Sequence, residues 1–372
     1  MSIFDDFLSS PEAQEAFASP NFIAAMLRFE AALAHAQAQT GLIPPHAGAS
    51  ISAACEVSRH DVARIAQAGA VAGSVAIPLV QSLKAIVERD APEALPWVHF
   101  ASTSQDVMDT AMALVTRDVL AGIKSDVRQG VQALLLLAQQ HAATPMLART
   151  LMQPASVTSF GWKCAAWAAP LERSLARLQR AEGHALCVQL GGAAGTQAGL
   201  QGKGAEIMGL VAERLGLSAP QAPWQTQRDE WVGLGCELGL LAGSLGKIAK
   251  DMALMGQFEV AELAEPSEPG RGGSSAMPHK HNPMACLVAL AASARAAACG
   301  GPAGGHAAGT RTRTGWLAGR AGRVAAVAAE CAGRRARHGP YAARPAGSQR
   351  AHARQYRQAG GAAARCGSGR MV

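Results

Sequence analysis

Between Pro269 and Met284 the chain reads PGRGGSSAMPHKHNPM, crowding two adjacent serines, two histidines, a lysine and an arginine among three glycines and three prolines. Gly270, Gly272 and Gly273 open backbone conformations that other residues avoid, while Pro278 and Pro283 deny the segment a regular helix or ladder. A loop of this kind is expected to be a lid or a ligand cradle. The cations alone could be explained as solvated charges, but a Ser-Ser pair among glycines is harder to explain that way.

Two further polar stretches interrupt an otherwise apolar chain. In VHFASTSQDVMDTA, Val98 to Ala111, His99, Ser102, Thr103, Ser104 and Gln105 come just before a long helical pattern. Thr103 or Ser104 can serve as its N-cap, with Asp106 favourably placed at the positive end of the helix dipole. Exposed helix-start amides and hydroxyls also bind carboxylates, so the structural role does not exclude a binding one. In ARTLMQPASVTSFGWK, residues 148 to 163, Arg149, Thr150 and Gln153 precede another helix. Taken alone they read as a capped turn with a solvated arginine.

The elements that must hold these stretches are helices. Ser19 is a plausible N-cap with Pro20 at the first helical position, and Phe22, Met26, Phe29 and Leu33 recur along one face until Gly41 and Pro44. From about Asp106 to His141, Val107, Ala111, Leu114, Leu120, Ile123, Val127, Val131 and Leu134 keep near-helical spacing. Similar runs occupy roughly 155–187, 230–264 and 284–298. Such lengths suit a helical bundle whose apolar stripes face one another or partner subunits. There is no βαβ alternation, and LGGAAGT at 190–196 is a glycine loop without a flanking strand, a weak nucleotide cradle.

Composition bounds the setting. The N-terminus, MSIFDDFLSSPEAQEAF, is acidic and broken by Pro11, unlike an export signal. The longest uninterrupted apolar runs fall short of the roughly 20 residues that span a bilayer. The eight cysteines include no CxxC pair, which fits reduced thiols in a cytoplasmic protein better than zinc ligation. The net charge of +7 is unevenly spread: residues 296–372 hold 13 arginines, no lysine and one acid, Glu330, so the rest of the chain is acidic. This Ala/Gly/Arg-rich tail loses the helical periodicity and cannot bury much apolar surface. It reads either as a basic arm for nucleic acid or as an out-of-frame translation of GC-rich coding sequence. The break falls inside an apolar helical pattern, which favours the second and leaves nucleic-acid binding the lesser expectation.

Taken together, the three polar stretches resemble one family. GSSAMPHKHNP is similar to the signature of the fumarase/aspartase superfamily, and TSQDVMDT and RTLMQPA match its two other active-site regions in order. VHFASTSQDVMDT, QRDEWV, LGLLAGSLGKIAKDM and GQFEVAELAEPS extend the likeness to the bacterial 3-carboxy-cis,cis-muconate cycloisomerases, over residues 1 to about 295. The resemblance implies an all-α fold: a small N-terminal helical domain (1–105) and a central helix bundle (106–295) carrying the loop at 269–284. The tail (296–372) would stand where the end of the bundle and a third helical domain are expected. A homotetramer with active sites shared between subunits is implied as well, with no cofactor, metal or membrane.

The resemblance assigns proton transfer to a loop serine, Ser274 here, with Ser275 as fallback, supported by Lys280. Lys280 and Asn282 would hold one substrate carboxylate; Thr103, Ser104, Arg149, Thr150 and Gln153 would grip the others, with His99 at the pocket edge. A small tricarboxylate explains the cations without a metal. Adenylosuccinate lyases usually carry Thr-His in the second region, whereas Leu151 follows Thr150 here. Lactonisation does not need that imidazole, because the nucleophile is the substrate's own ionised carboxylate. The expected activity is therefore conversion of 3-carboxy-cis,cis-muconate to a carboxymuconolactone. Alternatives are a 3-sulfomuconate substrate, an adenylosuccinate lyase-like activity, or an inactive homologue that keeps the bundle.

Overall fold

The computed structural model describes residues 10–265, 272–277 and 280–299, and helix follows helix through most of them. Residues 300–372 of the basic tail lie outside the described residues, as do Arg271, Pro278 and His279.

Helix α1 (Pro11–Ala16) is capped by Ser10, whose hydroxyl accepts from the Ala13 N–H at 3.2 Å. Helix α2 (Ser19–Gln39) starts one residue earlier than the sequence suggests: Ala18 is the N-cap and Pro20 sits second. That position tolerates proline equally well, since the first-turn amides have no intrahelical partner. Met26, Phe29 and Leu33 are buried as the spacing predicts, but Ile23 takes the deep position and Phe22 only packs against its rim. Helices α3 (Pro45–Ala54), α4 (Val62–Ala72) and α5 (Ala76–Asp90) follow, and a 3-10 turn, Pro92–Trp97, leads to the first polar stretch.

Helix α6 (Ser104–Gln140) runs for 37 residues. All eight of its apolar positions named from the sequence, Val107 through Leu134, are buried. It is followed by an element the sequence reading did not foresee: an antiparallel hairpin of β1 (Pro145–Thr150) and β2 (Gln153–Ser159). Its two-residue turn, Leu151-Met152, has φ of 48° and 65°. Turns with two left-handed residues favour Asn and Gly, so Leu-Met announced nothing. Helix α7 (Phe160–Ala185) therefore begins later than the apolar run. It is followed by α8 (Gly204–Leu215), α9 (Asp229–Met255) and α10 (Met284–Cys299).

The chain divides into two compact units, one built mainly from residues 10–122 and 177–238, the other from 123–176 and 239–298. In the first, Met26, Phe29 and Leu33 of α2 pack with Val107 and Leu114 of α6, Val188, Leu190, and Ile207 and Val211 of α8. A second cluster joins Ile51 of α3 to Leu83 and Val87 of α5 and to Val98. In the other unit, Asp251 of α9 accepts from Trp167 Nε1 of α7 at 2.9 Å and pairs with Lys163, also at 2.9 Å, and with Lys247. By length and composition α9 could cross a membrane, but half of its apolar window is buried. Trp231, Leu234, Leu238, Leu241, Leu245 and Ile248 form the buried stripe of an internal helix.

Leu114 is fully buried where α6 meets α2 and α8. Leu114→Ala should cost about 2–5 kcal/mol, measured by denaturant unfolding; a loss below about 1 kcal/mol would mean that this core is not tightly packed.

Candidate functional site

The first polar stretch is built around a buried carboxylate. His99 and Ala101 have φ of 59° and 54°, left-handed values that side chains other than glycine adopt only at a cost. This twist delivers Thr103 to the N-cap position of α6, where its carbonyl accepts from the Asp106 and Val107 N–H groups. Asp106 turns back to accept from the Thr103 N–H at 3.1 Å and the Ser102 hydroxyl at 3.5 Å, which supplies the N3-to-N-cap half of a capping box.

The sequence placed Asp106 near the helix dipole and gave it no other role. It is fully buried, and it also accepts from Gln189 Nε2 at 3.1 Å and from the Gly191 and Gly192 N–H groups at 2.9 Å. Burial pushes its carboxyl above the ordinary aspartate range, and these donors offset only part of that rise. The glycine loop at 190–196 therefore turns its amides to a side chain of the protein. Gly192 has φ +70°, and a Cβ on nearby Gly199 would stand 2.8 Å from the Ala101 Cβ. Gln225 donates to the Gly192 carbonyl and its own carbonyl accepts from Gln105, at 2.9 and 2.7 Å.

His99, expected at the pocket edge, is held from behind by Glu30 of α2, its Nδ1 standing 2.6 Å from Oε1 of a carboxylate only 1% exposed. Burial alone would push the imidazole down, but Glu30 and then Asp106 outweigh that and Lys84, so the result lies above the ordinary 6.5. The pair thus contributes stability that is complete below pH 6.5 and lost as pH rises through the folded-state value. Deeper in the same unit Arg228 of the QRDEWV stretch pairs with Asp109 of α6, both buried, and lies 4.9 Å from the Trp224 ring centre.

The second polar stretch forms the hairpin tip. Arg149 follows a bulge between Ala148 and Arg149, an irregularity that re-aims a side chain. It is not merely solvated: its Nη1 and Nη2 donate to the Glu262 carboxylate at 3.1 Å, and that carboxylate is 3% exposed. Thr150 and Gln153 face each other across the turn and are exposed, as is Leu151.

The loop carrying the serines is closed at its base. Asn282 donates its backbone N–H to the Gly272 carbonyl at 2.9 Å and its side-chain amide to the Gly273 carbonyl at 3.3 Å. Gly272 has φ +72° and its hydrogen faces the Asn282 carbonyl, where a Cβ would stand at 2.8 Å. Glu265, just before the loop, caps α10 by accepting from the Ala285 and Cys286 N–H groups at 3.1 and 2.9 Å. Ser274 is half-buried, and its Oγ accepts from the Met277 N–H at 3.2 Å, while Ser275 and Lys280 are exposed. A donor on that oxygen favours its negative form, which suits a hydroxyl that gives up a proton.

Glu30, Glu262 and Glu265 went unread as site residues. Glu262 and Glu265 lie in the GQFEVAELAEPS stretch quoted for the family likeness, without a role read for either, while Glu30 carried a physical signal: it interrupts the apolar stripe of α2 between Ile23, Met26 and Leu33, where an unpaired charge would be costly.

The family described as Lyase matches residues 9–297. The 3-carboxy-cis,cis-muconate cycloisomerase of Pseudomonas putida is 44% identical over 293 residues, covering 79% of this chain and 69% of that protein. The enzyme of the same description from Bradyrhizobium diazoefficiens is 44% identical over 283 residues, with 76% of this chain and 63% of the relative covered. Among solved structures, the 3-carboxy-cis,cis-muconate lactonizing enzyme from Pseudomonas putida superposes with a TM-score of 0.80 at 36% identity, covering 98% of this chain and 88% of that one. The chain thus spans about two thirds of the length of these curated relatives.

Asp106→Asn would set an amide NH2 against at least one of the N–H donors now pointing at the carboxylate. It should cost on the order of 2–3 kcal/mol and loosen the 98–104 and 189–192 segments together, seen as faster amide hydrogen exchange in both. Exchange rising in only one segment would show that Asp106 does not couple them.

Proposed function

As the chain belongs to the lyase family of the fumarase/aspartase superfamily, we propose that it carries the cycloisomerase chemistry of that superfamily, lactonising 3-carboxy-cis,cis-muconate to a carboxymuconolactone. The substrate's own carboxylate, ionised at neutral pH, attacks the conjugated double bond. A carbon–oxygen bond forms, and the π electrons move to the carbon alpha to another carboxylate, building an enediolate-like anion. That carbon must then take a proton, which comes ultimately from solvent.

The observation that carries the reading is the Ser274 hydroxyl, held in the closed signature loop with the Met277 N–H on its oxygen. Ser274 would give the proton and its alkoxide would be stabilised by that N–H and by Lys280. Ser275 is the neighbouring fallback. Lys280 and Asn282 would hold one carboxylate, with Thr103, Ser104, Arg149, Thr150 and Gln153 contacting the others and His99 at the edge. Arg149 would act as an oriented ion-paired fork, since Glu262 already occupies part of its guanidinium. Assembly as a homotetramer that shares sites between subunits, and a cytoplasmic location, belong to the same proposal. A 3-sulfo group in place of the 3-carboxylate would use the same cations.

Loss of muconate absorbance on adding the protein tests the activity directly. Ser274→Ala should lower turnover by at least about a hundredfold with little change in stability; near-normal turnover would move the role to Ser275 or beyond the loop. Lys280→Ala should damage both binding and rate. An unchanged rate with only weaker binding would make Lys280 a ground-state contact.

Leu151 stands 97% exposed at the hairpin turn, where an adenylosuccinate lyase would place a histidine. Adenylosuccinate should accordingly release no measurable fumarate, by absorbance under the same conditions. Fumarate release would replace the cycloisomerase reading with the lyase one.

A further inference from the structure

We propose that Glu30 is a positioning residue for the substrate site: it holds His99 through Nδ1 so that the opposite nitrogen presents an N–H to a substrate carboxylate. The inference rests on the reading of His99 as a substrate contact.

The geometry begins with the ring. A neutral imidazole has one N–H, and here Nδ1 lies 2.6 Å from an acceptor-only carboxylate, so the hydrogen sits on Nδ1. With that proton committed, Nε2 of a neutral ring would offer a lone pair, which repels a carboxylate. Only the doubly protonated ring turns Nε2 into a donor. Glu30 is 1% exposed and cannot swing away to solvent, and the His99 side chain keeps 16% of its surface open. Among the described residues, no protein hydrogen bond engages Nε2.

The charged neighbours favour the second proton. Glu30 approaches from α2 and Asp106 from α6, and both raise the imidazole, against burial and Lys84 of α5. The Cys55 thiol, also near Glu30, is pushed up by burial and by that carboxylate and stays neutral. Glu30 holds the ring at Nδ1, and the left-handed φ of His99 sets where its Cα–Cβ bond leaves the backbone. A buried anion behind and an N–H in front is an arrangement for receiving an anion.

The test uses the whole chain and propane-1,2,3-tricarboxylate, with affinity measured by calorimetry from about pH 6.5 to 9 and His99 followed by 15N NMR. In the wild type, affinity should fall as pH rises through the His99 titration. Glu30→Gln keeps an acceptor of the same shape without the charge. It should move both the NMR titration and the fall in affinity to lower pH by about one unit or more. Glu30→Asp, which restores the charge, should bring both back towards the wild type. His99→Asn should abolish the pH step and weaken binding at the acid end by about tenfold.

A purely structural Glu30 would lower the melting temperature of the Glu30→Gln variant and leave the position of the step unchanged, and that result would overturn the proposal. A His99→Asn protein that binds like the wild type, or a wild type that binds no tricarboxylate, would overturn the substrate contact on which it rests. The NMR shift between the wild type and the Glu30→Gln variant reads the positioning separately from either.

Discussion

The buried carboxylate of Asp106 is the constraint on which the first unit's site depends. Two glycine amides, a glutamine side chain and the Thr103 amide all point at it, and a loop with two left-handed non-glycine residues is held in place around it. Strained backbone of this kind persists only where its surroundings over-determine it, at about 1–3 kcal/mol per residue. Charge-assisted hydrogen bonds of about 1.5–3 kcal/mol each are enough to hold it, provided they also cover the cost of taking the carboxylate out of water.

Carboxylates act the same way elsewhere in the chain. Glu30 stands behind His99, Glu262 behind Arg149, and Glu265 caps the helix that ends the serine loop. Each is engaged by groups of the protein: a ring nitrogen, a guanidinium or backbone amides. A site for the proposed tricarboxylate would need cations and donors that keep their direction when no ligand is bound, and buried anions would supply that orientation. The cost is part of the cations' charge, since Arg149 presents an ion pair where a free arginine would exert a longer-range field.

Such preorganisation suits the proposed lactonisation. In the proposed reaction the nucleophile would arrive with the substrate already ionised, leaving the protein only to hold carboxylates in register and deliver one proton. Ser274 with an N–H on its oxygen and Lys280 in the same loop are suited to that delivery, and the Gly272–Asn282 closure ties the two ends of the loop together.

Helices were legible because their signal is local: apolar residues every three or four positions declare a buried face whatever the partner, and all eight stripe residues of α6 are buried as their spacing requires. The wording of three polar stretches likewise sufficed for the family, since those motifs are short and contiguous, and it nominated the candidate residues that the proposed function uses. The hairpin was not legible, because Leu151 and Met152 take turn conformations that their residue types do not announce. Nor were the carboxylates behind the site. Glu30 meets His99 across 69 residues, Gly191 meets Asp106 across 85, and Glu262 meets Arg149 across 113. Periodicity states that a face is buried but not what lies against it; which donor meets which buried anion is decided only when the helices pack, because an unpaired charge there would be too costly to leave.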